Sequence, residues 1–311
     1  MQQHPRYTHK LYGQQAVQQS LLDAFNGNNL HHAWLLVGEP GVGKATFAYQ
    51  AAKFLLSDPQ GPKTSIEVAS NCESTRKILS RSHPDLFVLE PEEEKTEIKV
   101  DHVRELSEFM ALTPALGKHK IIIIDSANNL NNNAANALLK LLEEPQDNTF
   151  FFLVCHSLVN LLPTIKSRCR QLKFMPLTFT DFYKILSEHK NMNVADAQEL
   201  YQLTAGSMHY AKLLLLEDAL DTYKITEELL LADKREFPTV QKLMTAVSDD
   251  DSWKVVKYAI HNTLHKGMLE SAKNYTLTER QLDMASKRLH LIQQAETTHI
   301  DRSQLIAALF A

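Results

Sequence analysis

Over roughly its first 175 residues the chain alternates two apolar patterns. Short, nearly unbroken runs, in "HAWLLVG", "HPDLFVLEP", "HKIIIIDSA" and "NTFFFLVCHS", read as buried strands. Between them lie longer segments with helical spacing: "QQAVQQSLLDAF", "KATFAYQAAKFLL", "VDHVRELSEFMAL" and "NAANALLKLLEE". In the second of these, Phe47, Ala51 and Leu55 recur every four residues, as one face of a helix requires. Strands separated by helices predict a parallel sheet with helices on its faces. The pattern changes after "FMPLT". From about Thr178 the helical period alone remains, with "TDFYKILSEH" opening on an N-cap pair and "VADAQELYQLTAG" stopping at Gly206. Trp253, Val256, Ile260 and Leu264 form one stripe, and Leu282, Ala285, Leu289 and Ile292 another; "HIDRSQLIAALFA" is a last helix capped by Asp301. The expected organisation is an α/β core over 1–176, a small helical domain over 177–218, and an all-α domain over 219–311.

Composition changes this picture little. Of the 311 residues 44% are hydrophobic and 23% charged, which is ordinary for a globular chain. A net charge of −4 gives no global pull toward nucleic acid. Cys72, Cys155 and Cys169 are too few and too scattered for a disulfide framework. The N-terminus is polar and the apolar runs are short, so neither a signal peptide nor a membrane span is expected, and the expected location is a reducing cytoplasm. The acidic run "EPEEEKTE" reads as a solvated turn.

Candidate chemistry starts at "GEPGVGKAT". Gly38, Gly41, Gly43 and Lys44 stand between a strand and a helix, the context in which backbone N–H groups cradle phosphate and the lysine reaches its outer oxygens. Where such a loop normally places a hydroxyl on magnesium stands Ala45, and Thr46 lies roughly 100° away around the helix. The loop is compatible with bound nucleotide or with none. "IIIIDSA" supplies Asp125, in the position of a carboxylate that supports a magnesium shell. Ser126 follows, and a hydroxyl is a poor base near neutral pH. Both changes point to a phosphate-loop domain without hydrolysis. In "TIKSRCRQLKF", Ser167, Arg168 and Cys169 follow the fourth strand; taken alone, Arg168 reads first as an ordinary surface ion pair, with a neighbour's phosphate as the alternative. Lys166, Arg170 and Lys173 beside it read as solvated charge. Adjacent His31 and His32 point different ways and make a poor chelate.

"HAWLLVGEPGVGKAT", "IKVDHVREL", "ANALLKLLEEP" and "LLPTIKSRCRQLKF" occur in the order and spacing of bacterial clamp-loader subunits of the AAA+ superfamily. The set resembles their delta-prime family over about residues 8–218, and more loosely beyond. That resemblance implies an AAA+ P-loop core, a helical lid and an all-α C-terminal collar. It implies a hetero-oligomeric ring with motor subunits of the gamma/tau type and with delta, which loads a sliding clamp on primed DNA. Delta-prime subunits do not themselves hydrolyse ATP, and the arginine of the "SRC" triplet acts in trans on a neighbour's ATP. Carried to this chain, Arg168 is that finger. The rival expectation is an ATP-hydrolysing motor subunit of the same loader. No cofactor is required on this reading, although passive binding of ATP or ADP is compatible with it. Many relatives carry a four-cysteine zinc module between the loop helix and the second strand; here only Cys72 stands there, so no zinc and a metal-free helical insert are expected. The position of a lid arginine that reaches nucleotide holds Tyr210, and that of a small polar sensor holds Cys155 and His156.

Overall fold

A computed structural model describes residues 4–8, 10–90, 97–189, 192–232, 236–247, 249–274, 278–298 and 301–310. Most of the acidic run therefore lies outside the described residues. The chain divides into two compact units, Met1–Met208 and His209–Ala311.

Strands β1 (Ala33–Val37), β2 (Leu86–Leu89), β3 (Lys120–Asp125), β4 (Thr149–Cys155) and β5 (Arg170–Lys173) form one sheet in the order β2-β3-β4-β1-β5. Every pairing is parallel. Helix α1 (Gln15–Asn26) precedes the strands, α2 (Lys44–Leu56), α3 (Glu73–Leu79), α4 (Val100–Ala111), α5 (Asn132–Glu143) and α6 (Pro163–Arg168) separate them, and α7 (Phe179–His189) and α8 (Val194–Thr204) follow. Successive strand side chains point to opposite faces, and the packing follows that alternation. Trp34, Leu36, Ile121, Ile123, Phe150 and Phe152 pack with Leu21 of α1 and Phe47 and Leu55 of α2. Ala33, Leu35, Ile122, Ile124, Phe151 and Leu153 pack on the other face with Leu106 of α4 and Leu138 of α5. Burial on both faces explains why the central strands read as unbroken apolar runs.

Two local expectations change. The fifth strand was not expected: β5 is a four-residue edge with only Leu172 buried, and it forms because β1 offers a free side, pairing Trp34–Val37 with Arg170–Lys173. The cap of α7 is Thr178, two residues earlier than "TD": its Oγ1 accepts from Asp181 N at 3.2 Å. The segment expected as a helical insert contains α3, with Cys72 at its N-cap. Within the described residues no three His, Cys, Asp or Glu side chains converge on a metal position.

The boundary between units falls at the start of α9 (Met208–Leu214). The second unit holds α10 (Ala219–Leu231), α11 (Phe237–Ala246), α12 (Asp250–Lys273), α13 (Glu279–Thr298) and α14 (Arg302–Phe310). Its core joins Leu229, Leu243, Trp253, Val256, Ile260, Ile292, Ile306 and Phe310, so both sequence stripes supply core residues. Asp301 caps α14, its Oδ1 accepting from Gln304 N at 3.1 Å. Tyr210 stacks on Tyr258 within this unit, ring centroids 3.7 Å apart. No described helix is long and apolar enough to cross a membrane.

Candidate functional site

The phosphate-type loop leaves the carboxyl end of β1, which lies between β4 and β5, and runs into α2. In parallel α/β sheets ligands bind outside the carboxyl ends of the strands, so this is the expected end. Two glycines are sterically required. A Cβ on Gly38 would stand 2.7 Å from the Phe174 carbonyl oxygen, and Gly43 has φ +101° with Leu11 Cδ1 2.7 Å from the Cβ it lacks.

The carbonyls of the loop are tied back to the protein one after another. Lys44 Nζ donates to Gly38 O at 2.5 Å and to Glu39 O at 2.6 Å. Ser207 Oγ donates to Pro40 O at 2.7 Å, and Met208 N to Gly41 O at 3.3 Å. Gln14 Nε2 donates to Val42 O at 3.2 Å, and Phe47 N to Gly43 O at 2.9 Å. Lys44 is only 3% exposed. Burial pulls its ammonium down to about 8, against the pull of Asp125 and Glu39. At the end of β3, Asp125 is pushed up to about 6, first by burial and then by Glu90, with Lys44 opposing. Ala45 offers no oxygen, Thr46 is half-buried on the first turn of α2, and Ser126 is buried with its Oγ directed to Asn129 Oδ1 at 3.3 Å. Ser126 thus bonds within the turn after β3.

Behind the loop lies a polar network that sequence patterning missed. Buried Arg6 donates from Nη2 to Tyr49 Oη at 3.3 Å and to Glu90 Oε1 at 3.5 Å. His4 Nε2 contacts Glu90 Oε2 at 3.1 Å, and Lys53 Nζ donates to Arg6 O at 2.9 Å. Burial keeps a charge only where it is paired, and Glu90 answers Arg6 here. The only signal in the sequence is the mixture of charge and aromatics in "HPRYTHKLYGQQ", which has no period to read. Cys155 is fully buried at the end of β4, its thiol pushed up first by burial, and Sγ donates to Ser157 O at 3.4 Å. It is a packing residue. Nearby, His156 N and Ser157 N donate to Asn128 Oδ1 at 2.7 and 3.4 Å.

The second feature is on the outer end of α6. Ile165 and Cys169 turn into the core, and burial pushes the Cys169 thiol up to about 12. Their inward direction leaves Ser167 and Arg168 outward. Ser167 Oγ donates to Thr164 O at 3.0 Å. Arg168 Nη1 donates to Thr164 O at 3.0 Å and to Ser167 Oγ at 3.4 Å, while Nη2 pairs with Glu143 Oε1 at 2.6 Å. The Arg168 side chain is 34% exposed and borders an open groove of about 530 Å³ with His31, His32, Leu142, Glu143 and Ser167. His32 Nε2 contacts Leu142 O at 3.1 Å and, contrary to the expectation that the adjacent histidines point different ways, its ring stacks on His31, centroids 4.4 Å apart. Burial, then the neighbouring His31, holds His32 below the usual histidine range. The sequence placed His31 and His32 apart from "SRC"; the β1–β5 pairing brings the two segments to one groove. Of the flanking cations, Arg170 Cζ lies 5.0 Å from the Trp34 ring centroid, a cation–π contact that supplements plain solvation.

Residues 13–178 match the family model described as DNA polymerase III, delta subunit. The DNA polymerase III subunit delta′ of Pseudomonas aeruginosa is 43% identical over 156 residues, 50% of this chain and 46% of that protein. The Escherichia coli K12 subunit of that name is 34% identical over 190 residues, 61% of this chain and 56% of that one. The matches thus span about half the length of these curated relatives. A DNA polymerase III gamma subunit-related protein of Thermotoga maritima superposes over 93% of this chain and 97% of its own, with TM-score 0.49 and 16% identity. The α/β core carries a strand–glycine-loop–helix unit, and the chain belongs to the DNA polymerase III delta-prime family.

Proposed function

We propose that this chain is a non-hydrolysing subunit of a bacterial clamp loader that supplies Arg168 in trans to the ATP site of a neighbouring motor subunit. The complex is a hetero-oligomeric ring with gamma/tau-type and delta subunits, and it places a sliding clamp on primed DNA. The chain divides on this reading into an AAA+ core, a lid and a collar that joins the ring. It needs no bound cofactor of its own; ATP or ADP in its loop would be a passenger, and no zinc is needed.

The observation that carries the reading is the opposite disposition of two phosphate-directed groups. Lys44 is buried and donates to its own loop, whereas Arg168 stands at an open groove. A guanidinium suits this task because its planar fork matches phosphate oxygens and it stays charged at any working pH. Ala45 and Ser126 support the absence of hydrolysis: neither can replace a magnesium-binding hydroxyl or a water-activating carboxylate. The test is ATP turnover of the reconstituted loader with the chain intact, as Arg168→Ala, or omitted. The expected result is equal loss of stimulation in the last two. Motor-like turnover by the isolated chain would overturn the proposal.

A further inference from the structure

We infer that Glu143 is a positioning residue for Arg168, holding its guanidinium aimed across the groove in the assembled complex as well as in the free chain. The inference rests on the trans role proposed above and concerns what makes that role efficient.

A long arginine side chain at a helix end samples many rotamers, and ordering it at docking opposes the contact it makes. Here the ordering is done in advance from two sides. Arg168 Nη1 is directed to Thr164 O and Ser167 Oγ on its own helix, which fixes the base of the fork. The carboxylate that takes Nη2, 2.6 Å away, comes from a different element, the last residue of α5. That element is firmly seated: Ala134, Leu138 and Leu142 bury one face of α5 in the core. The preceding carbonyl, Leu142 O, contacts His32 Nε2 at 3.1 Å, which ties the end of α5 to β1.

The pair does not exhaust the guanidinium. With Nη1 spending both hydrogens and Nη2 one, the described acceptors leave Nε–H and the second Nη2–H. An anionic oxygen can thus be received without displacing Glu143. The carboxylate is 47% exposed, so solvent screens much of its charge and its main contribution is geometric. A misplacement of about 1 Å in a phosphate-binding group can cost on the order of 100-fold in rate, so aim matters more than the partial loss of positive potential.

The test uses the reconstituted loader with the full chain as wild type, Glu143→Ala, Glu143→Gln, Arg168→Ala and Glu144→Ala. Glu143→Ala is expected to lower maximal ATP turnover on the order of 10- to 100-fold. The chain concentration for half-maximal stimulation should be unchanged. Glu143→Gln keeps an acceptor oxygen and should restore most of the loss, and Glu144→Ala, at the neighbouring exposed position, should behave as wild type. In the free chain, rotation about the Arg168 Cζ–Nη2 bond, read by NMR of the guanidinium, should be slow in wild type and in Glu143→Gln and fast in Glu143→Ala, because Nη2 is the group that Glu143 holds. That readout does not depend on turnover. If Arg168→Ala is harmless, the trans role itself fails. If Arg168→Ala is damaging while Glu143→Ala is harmless or raises turnover, the trans role survives and the positioning role is overturned.

Discussion

The glycine loop and the "SRC" corner each carry a cation whose chemistry suits phosphate, and the fold treats them in opposite ways. Each contributes one cation to the same α/β core. In the loop, Lys44 lies 3% exposed and donates to two carbonyls of its own arch. Outside donors Gln14, Ser207 and Met208 take the carbonyls that follow. At the corner, Arg168 is a third exposed and faces an open groove. What differs is the direction of hydrogen bonding. The loop consumes its cation internally, which stabilises the fold, while the corner holds its cation by one edge and leaves donors over. A motif match therefore places a cation that suits phosphate, and the surrounding bonds determine whether it faces inward or outward.

The sharpest way to break this contrast is Arg168→Ala, which should reduce turnover at the neighbour's site by roughly 1,000-fold, or about 4 kcal/mol of barrier, in the reconstituted complex. Equal turnover with and without the guanidinium would erase the outward half of the comparison. The inward half is probed next by Gly38→Ala. The added Cβ would meet the Phe174 carbonyl at 2.7 Å where β1 pairs with β5, and roughly 2–4 kcal/mol of stability should be lost. Thermal melts of the two proteins decide this, and an unshifted melt would show that the loop yields easily.

A smaller effect sharpens the electrostatics. Asp125 rises from 3.8 to about 6 on folding, so the native state binds more protons than the unfolded chain between those values. Its contribution is therefore fully favourable below about 3.8 and is lost as pH rises through about 6. Asp125→Asn should gain roughly 1–3 kcal/mol on wild type as pH is raised from 4 to 7, read from urea midpoints at each pH. A constant gap across that range would mean that Lys44 fully compensates the buried carboxylate. The smallest effect is expected from Lys44→Ala, with turnover of the assembled loader within about two-fold of wild type. Collapse of turnover with normal assembly would restore a nucleotide role to the loop.

Much of the architecture was legible because burial has a local period. The helix expected over "KATFAYQAAKFLL" is α2, and the stripes through Trp253 and Ile292 enter the core of the second unit. The unbroken runs of β3 and β4 reflect burial on both faces. β5 escaped notice because an edge strand with one buried residue in four has no period. At the candidate site, Lys44 and Asp125 could be named from spacing, and Arg168 from the family resemblance. Glu143 could not, since nothing in "LLEEP" says which carboxylate reaches a residue beyond the next strand.

The sequence by itself determined the order of the first four strands and the helices between them, the place of the glycine loop, and the absence of a side-chain oxygen at Ala45 and of a carboxylate at Ser126. Those properties reside in single residues or in short windows, where side-chain chemistry and backbone period act directly. Only the tertiary structure decided that β1 lies between β4 and β5, that Ser207 reaches Pro40 across 167 positions, and that His32, Glu143 and Arg168 share one groove. Contacts of that kind depend on how buried faces meet, and the free energy that selects them is a sum over the whole core, with no trace in the local pattern of any one segment.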